Sequence, residues 1–407
     1  LDQTTGKPTR WLSKVSELSL KIEIDHFTRN KREHQELARK EAPGFTEVEP
    51  DFERIREVKE QYEYENLVVI GNGGSITSFR AFLYAFLGES DKNVRLVTTM
   101  DPDYLNTLSS ELNASETLVM PISKSGETTG VIESLLYFID RGFDVCAVTS
   151  QNNGALKQIV ESNDYGFIEH QDVGGRFSGL TETALAPAIF AGIDAEEIRA
   201  GGEEMYEKLS PSNSYNPAIN IASALKDAED QGYDEIFAPF YSTRLFGFYP
   251  LFVQLMHETV CKEGEGQTVF GDMGPECQHH TNQRLFGGSE DVVTMFFRCE
   301  AHEMERIDVP PNLENIELRG RKLGDLEGFE YSESLHSEYE GVKETLDDRD
   351  MPNMVISVDD VSHKTLGKLT ALMQYIAVYS AWMRNVNPFN QPDVVESKQK
   401  GFERRFS

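Results

Sequence analysis

The stretch Leu118–Gly130, LVMPISKSGETTG, narrows the possible folds more than any other part of the chain. An apolar run (Leu118, Val119, Met120, Ile122) breaks into Ser123, Lys124, Ser125 and Gly126. Glu127, Thr128 and Thr129 then precede the helical pattern VIESLLYFI. This reads as a buried strand, a tight loop of small residues and a helix start. A helix N-terminus presents unpaired N–H groups at the positive end of its dipole and therefore suits an anion. Ser123, Ser125, Thr128 and the Lys124 ammonium extend that offer to a phosphate. A second loop of the same kind, Ile70–Phe79 (IGNGGSITSF), supplies Gly74 and Ser75 after the apolar strand Leu67–Ile70. Two phosphate-type loops on neighbouring strand ends predict one sugar-phosphate crevice at the carboxyl edge of a parallel sheet.

The rest of the chain is organised around that unit. Residues 1–63 read as polar and helical, with partial faces at Leu18, Leu20, Ile22, Ile24, Phe52, Ile55 and Val58, broken at Pro43 and Gly44. An N-terminal helical arm without chemistry is expected there. From Asn66 the texture alternates. Strands are expected at Leu67–Ile70, Val94–Thr98, Leu118–Ile122, Val145–Thr149 and Gly166–Glu169, with helical stretches between them. Such alternation predicts parallel βαβ units. A linker is expected at Ser210–Pro217, so that residues 64–209 and 218–407 form two α/β halves. The second half repeats the plan less regularly, with strands at Ile236–Phe240, Val292–Arg298 and Met354–Val358 and a helix over Arg244–Lys262. Leu366, Leu369, Leu372, Met373 and Ile376 mark the apolar stripe of an amphipathic helix.

Composition excludes several classes of function. The 407 residues carry 69 Asp plus Glu against 39 Lys plus Arg, a net charge of −30. Polyanion backbones are repelled by such a surface, so no nucleic-acid partner is expected. No apolar run approaches a membrane span of about 18–20 residues, and LDQTTGKPTR does not read as a signal peptide. Cys146, Cys261, Cys277 and Cys299 have no paired spacing and read as reduced thiols of a cytoplasmic protein. The acidity fits an ordinary acidic protein or a salt-adapted one, and the size of the imbalance favours the second.

Four further segments carry chemistry. In Asp172–Leu180, DVGGRFSGL, two glycines let the backbone approach a ligand and place Arg176 on a constrained turn, where a guanidinium either steadies a developing oxyanion or pairs with a structural acid. Gln254 and Glu258, four apart on one helix face among Leu255, Met256 and Val260, offer a general base. Gly271–Gly288, GDMGPECQHHTNQRLFGG, brings His279 and His280 near Cys277, with His257 upstream. These spacings match no usual zinc pattern, so an acid–base histidine is favoured and no metal is expected. Near the C-terminus, NPFNQPDVVESK sets Gln391 in a proline-framed turn and Lys398 about two turns along the following helix.

Taken together, these residues resemble the glucose-6-phosphate isomerase family of the sugar-isomerase (SIS) fold. GGRFS looks like its first signature, PFNQPDVVESK like its second, SKSGETT like its phosphate loop, GNGGS like its first glycine loop and GPECQH like its Gly-rich loop. They occur in family order from about residue 67 to residue 398. The resemblance implies two SIS-type, flavodoxin-like α/β/α domains and an aldose–ketose isomerase that uses no cofactor. It further implies Glu258 as base, Arg176 as enediolate stabiliser, and His279 and Lys398 for ring opening. Gln254 and Gln391 would hold the sugar, and Gly74, Ser75, Ser123, Lys124, Ser125 and Thr128 the phosphate. A homodimer is implied, with each active site shared between chains. The chain departs from the family at GDMGPEC, ETVCK, Asp393, Val395 and Gly130. The alternatives are a bifunctional phosphoglucose/phosphomannose isomerase or another SIS sugar-phosphate isomerase, and a non-catalytic SIS sugar-phosphate sensor.

The charge generates a test of salt adaptation. With a net charge of −30, self-repulsion falls once the Debye length shrinks to about 3 Å near 1 M salt. The melting temperature is expected to climb steadily from dilute buffer to molar KCl; a flat or falling trend counts against adaptation.

Overall fold

The computed structural model describes residues 11–15, 20–25, 27, 40–86, 88–213 and 215–407. The readings placed on residues 1–10, on Leu18 and on residues 28–39 lie outside these described residues.

Two sheets organise the fold. The first contains β3 (Asn66–Ile70), β4 (Asn93–Val97), β5 (Thr117–Ser123), β6 (Asp144–Thr149) and β7 (Gly166–Glu169). Its order is β4-β3-β5-β6-β7 and every pairing is parallel. β5 is buried at all seven positions, as a central strand covered on both faces must be. The second sheet joins β1 (Trp11–Val15), β2 (Leu20–Asp25), β8 (Glu235–Tyr241), β9 (Thr268–Met273), β10 (Val292–Cys299) and β13 (Asn353–Val358) in the order β1-β2-β13-β10-β8-β9. A short ribbon, β11 (Glu317–Leu318) with β12 (Arg321–Lys322), stands apart from both.

Three sequence expectations change. The helical arm is replaced, where the chain is described, by β1 and β2. β2 pairs antiparallel with β13, with Ile22 opposite Ile356 and Ile24 opposite Met354. Leu20, Ile22 and Ile24 alternate with period two, which is a strand signal, and all three are buried. Among the described residues of that region, Phe52–Lys59 alone forms an α-helix. Second, the Gly-rich stretch 271–288 is partly ordered. Gly271–Met273 close β9, and Thr281–Gly287 form a helix. Third, the amphipathic helix, His363–Met383, is buried from Thr365 through Ala381 without interruption. A helix covered on all sides must satisfy its polar residues internally. Gln374 does so by accepting from Tyr206 Oη at 2.6 Å and donating to Phe177 O at 3.0 Å.

This helix is the axis of the molecule. It lies between the sheets in a core that takes Leu67 and Met120 from the first sheet and Ile236 and Phe240 from the second. Separate apolar clusters cover the far face of each sheet. The helix packs so closely on Ala195–Lys208 that a Cβ at Gly367 would stand 1.7 Å from Ile198 O. Backbone cannot yield as a flexible side-chain tip does. Gly367→Ala is therefore expected to cost about 1–3 kcal/mol or more, as overpacking does, read as a lowered urea midpoint.

Candidate functional site

The carboxyl ends of β3 and β5 turn sharply into helices. After β3, Gly73 adopts φ +55°, and Gly74 meets the segment that carries Arg176. A Cβ on Gly74 would lie 2.1 Å from Gly175 C, so the two loops touch backbone to backbone. No other residue permits that approach. After β5, Gly126 at φ +67° closes the second loop. Ser123 is buried there and its hydroxyl is 2.9 Å from that of Thr128. Ser125 is exposed, while Ser75, Lys124 and Thr128 are partly so. Lys124 Nζ pairs with Asp172 at 2.7 Å, which ties this loop to the Arg176 segment and pulls the Asp172 carboxyl below its ordinary range through the ammonium's hydrogen bond. Glu127 turns away and accepts from Ala155 N at the start of the next helix. Beside Gly130, Met100 Sδ lies 2.7 Å from where a Cβ would stand.

Arg176 is only 4% exposed. Its Nε donates to Thr259 Oγ1 at 2.9 Å. One terminal nitrogen donates to Pro388 O and Asn390 O, the other to Gln391 Oε1. Of the five N–H bonds of a guanidinium, one on that last nitrogen remains. The same nitrogen is 3.7 Å from Glu258 Oε2. Burial lowers the Arg176 pKa, and the Glu258 charge opposes the shift. The helix Phe248–Val260 aligns Gln254, Glu258 and Thr259 on this side. Gln254 accepts from Thr77 Oγ1 at 3.0 Å and donates to Glu258 Oε1 at 3.2 Å. A continuous polar chain thus runs Thr77, Gln254, Glu258, Arg176, Gln391. It links the two sheets beside the glycine loop.

His279 and Lys398 stand elsewhere. Among the described residues, no hydrogen bond or ion pair joins either one to Glu258 or Arg176. His279 ends the turn Glu276–His279, which is pinned from within by buried Cys277 and by Gln278 Nε2 donating to Tyr241 Oη at 2.8 Å. The imidazole itself is exposed. Lys398 is exposed on the helix Val395–Glu403. Arg405, just beyond that helix, pairs with Glu133 in the helix that follows the phosphate-type loop. His257, Cys277 and His280 do not converge. His257 accepts from Val269 N at 2.8 Å, burial lowering its pKa, and Cys277 sits in an apolar cluster. Asp272, Glu276 and His280 bring donor atoms within 4.8 Å of one another at the surface, where His280 Nε2 already faces Glu276 at 3.1 Å.

Lys262 escaped the sequence reading. It is 6% exposed, and its Nζ donates to Asn387 O, to Asn390 O at 2.8 Å and to Asn390 Oδ1 at 3.3 Å. Burial, reinforced by the Arg176 charge, lowers its pKa to about 8. The signal was present: Gln254, Glu258 and Lys262 follow at intervals of four.

No family model matches the chain. The chain is 28% identical over 369 residues to the glucose-6-phosphate isomerase of Methanocaldococcus jannaschii, covering 88% of each. Among solved structures, a hypothetical protein of Thermus thermophilus superposes with a TM-score of 0.82 at 25% identity, over 93% of this chain and 94% of that one. A glucose-6-phosphate isomerase of Chlamydia trachomatis shares the fold with a TM-score of 0.70 at 22% identity, over 92% of this chain and 72% of that one.

Proposed function

We propose that this chain, which belongs to the glucose-6-phosphate isomerase family and has the SIS fold, interconverts glucose 6-phosphate and fructose 6-phosphate. The observation that carries this reading is the Glu258–Arg176 pair. A carboxylate and a buried guanidinium with one N–H to spare face each other at 3.7 Å beside two phosphate-type loops.

Isomerisation moves a proton between adjacent carbons. Glu258 takes it from the second carbon of the open-chain aldose, leaving a cis-enediolate, and returns it to the first. The negative charge that develops on oxygen meets the remaining Arg176 N–H, already oriented by the residues that hold the other four. Gln254 fixes one Glu258 oxygen and leaves the other for the substrate. The phosphate lies across Ser75, Ser123, Lys124, Ser125 and Thr128, near Gly74, and supplies binding energy remote from the reacting carbons. Gln391 contacts the sugar from the same turn that holds Arg176.

Ring opening falls to Lys398 and His279. The helix of Lys398 is tied to the helix of the phosphate loop through Arg405 and Glu133. An exposed His279 on a turn pinned from beneath suits a side chain that serves the active site of a second copy. We therefore propose a homodimer with shared sites, each two-fold interface building both. The free cysteines fit a reducing, cytoplasmic setting. Among the described residues, no helix is long and apolar enough to cross a membrane.

Glu258→Gln is expected to lower turnover by at least about 100-fold, the scale of lost general-base catalysis, while substrate binding survives. Near-normal solvent-deuterium exchange at the second carbon in this variant would sink the assignment. For the shared site, Glu258→Gln chains are mixed with His279→Ala chains, each inactive alone. Action in trans restores about a quarter of wild-type sites, because roughly half of the reassorted dimers are mixed and each has one intact site. Continued inactivity after verified subunit exchange rejects the shared site.

A further inference from the structure

The geometry assigns Lys262 a positioning role: with Arg176 it clamps the turn Asn387–Gln391 and so fixes the direction of the one guanidinium N–H left for the substrate. This inference rests on the isomerase reading and deepens it.

The two cations grip one piece of backbone. Asn390 O accepts from Arg176 at 3.0 Å and from Lys262 Nζ at 2.8 Å. On either side of that carbonyl the grips separate. Lys262 holds Asn387 O and Asn390 Oδ1, whereas Arg176 holds Pro388 O and the Gln391 side chain. Asn387 and Asn390 are exposed, and so is Phe389, although its ring contacts Phe177 edge-on at 5.8 Å between centroids. Pro388 is the one buried apolar residue of the turn, so the orientation of the carbonyls on either side of it depends on these polar contacts.

Lys262 is held in turn by its own surroundings. It follows the helix of Glu258, and the tight turn beyond it passes through Glu263 at φ +59° and Gly264 at φ +90°. Glu265 N closes that turn on Lys262 O at 3.0 Å. The ammonium thus emerges from the rigid segment that carries the base, and it reaches the turn that orients the oxyanion donor. Placing two positive charges around a single carbonyl is costly in a buried position. Asp393 and Glu258 offset the cost, since both charges favour the protonated amine. Without Lys262, among the described residues, the hydrogen bonds that reach the turn from outside come from Arg176, and those can then rotate the guanidinium with the turn instead of fixing it.

The role separates from catalysis proper, since none of the hydrogen bonds of Lys262 reaches Glu258. Lys262→Met keeps most of the apolar stem and removes the three donated bonds. Turnover of fructose 6-phosphate is expected to fall by about 100-fold, the scale of a reacting group misplaced by about 1 Å, with KM changed less than about threefold because the phosphate contacts are untouched. Lys262→Arg, which keeps a charged donor, is expected to recover part of the loss. Hydrogen–deuterium exchange without substrate provides a readout independent of activity. In Lys262→Met, amides within 386–395 should exchange faster while those of the helix 248–260 do not. Should Lys262→Met fail to fold, Lys262→Gln takes its place in both measurements. Unchanged exchange in 386–395, or a loss carried wholly in KM, overturns the positioning role. A wild type that leaves fructose 6-phosphate unaltered overturns the isomerase reading instead, and the exchange measurement still decides on Lys262.

Discussion

A buried guanidinium is the constraint around which the remainder of the molecule is arranged. Arg176 cannot lose its proton at any ordinary pH, and its removal from water is tolerated because partners hold four of its five N–H donors and the fifth faces Glu258. Those partners arrive from distant parts of the chain: Thr259 and Glu258 from a helix of the second half, and the segment 388–391 from near the C-terminus. The first half contributes Arg176 itself, from a 3-10 turn pressed against the glycine loop after β3. Satisfying one side chain therefore requires both sheets to be built and docked.

The docking has its own physical basis. The helix His363–Met383 is enclosed by both halves and leads directly into the turn that holds Arg176. Its length fixes how far the turn lies from the first sheet, and glycines at 201 and 367 fix how near it approaches its neighbour. Rigid packing at the axis thus becomes angular precision at the site. The acidic surface does not enter this interior. Between the halves the charges are local pairs, such as Arg176 with Glu258 and Lys368 with Glu204, the two cations deeply buried. A phosphate bound at this site meets local cations within a molecule of strongly negative total charge.

Local signals read faithfully wherever a residue's role is set by its immediate neighbours. The strands of the first sheet are legible because each is a short apolar run bounded by turn residues, and the two loops because glycine and hydroxyl residues must lie where a helix begins. The i, i+4 relation of Gln254 and Glu258 needs only helical geometry. Leu20, Ile22 and Ile24 read as helical despite an equally local period-two signal, because they lie in polar surroundings and pair with β13, more than 300 residues away. The helix 363–383 reads as half-exposed because its Thr, Gln and Tyr side chains look like a solvated face. Their partners, Tyr206, Phe177 and Leu209, are visible only in three dimensions.

By itself, the sequence determined the α/β alternation, the parallel first sheet, the two anion-suited loops and the identity of the chemical groups, since these follow from spacing, periodicity and side-chain type. Tertiary structure alone decided which groups meet. It joined Arg176 to Glu258 and Gln391, left His279 and Lys398 apart from them within one chain, and brought Lys262 to the carbonyl that Arg176 also holds. The reason is that hydrogen bonds form over about 3 Å in space and carry no record of separation along the chain. The polar chain from Thr77 to Gln391 spans more than 300 positions in sequence, and only the packing of the central helix between two sheets makes it short.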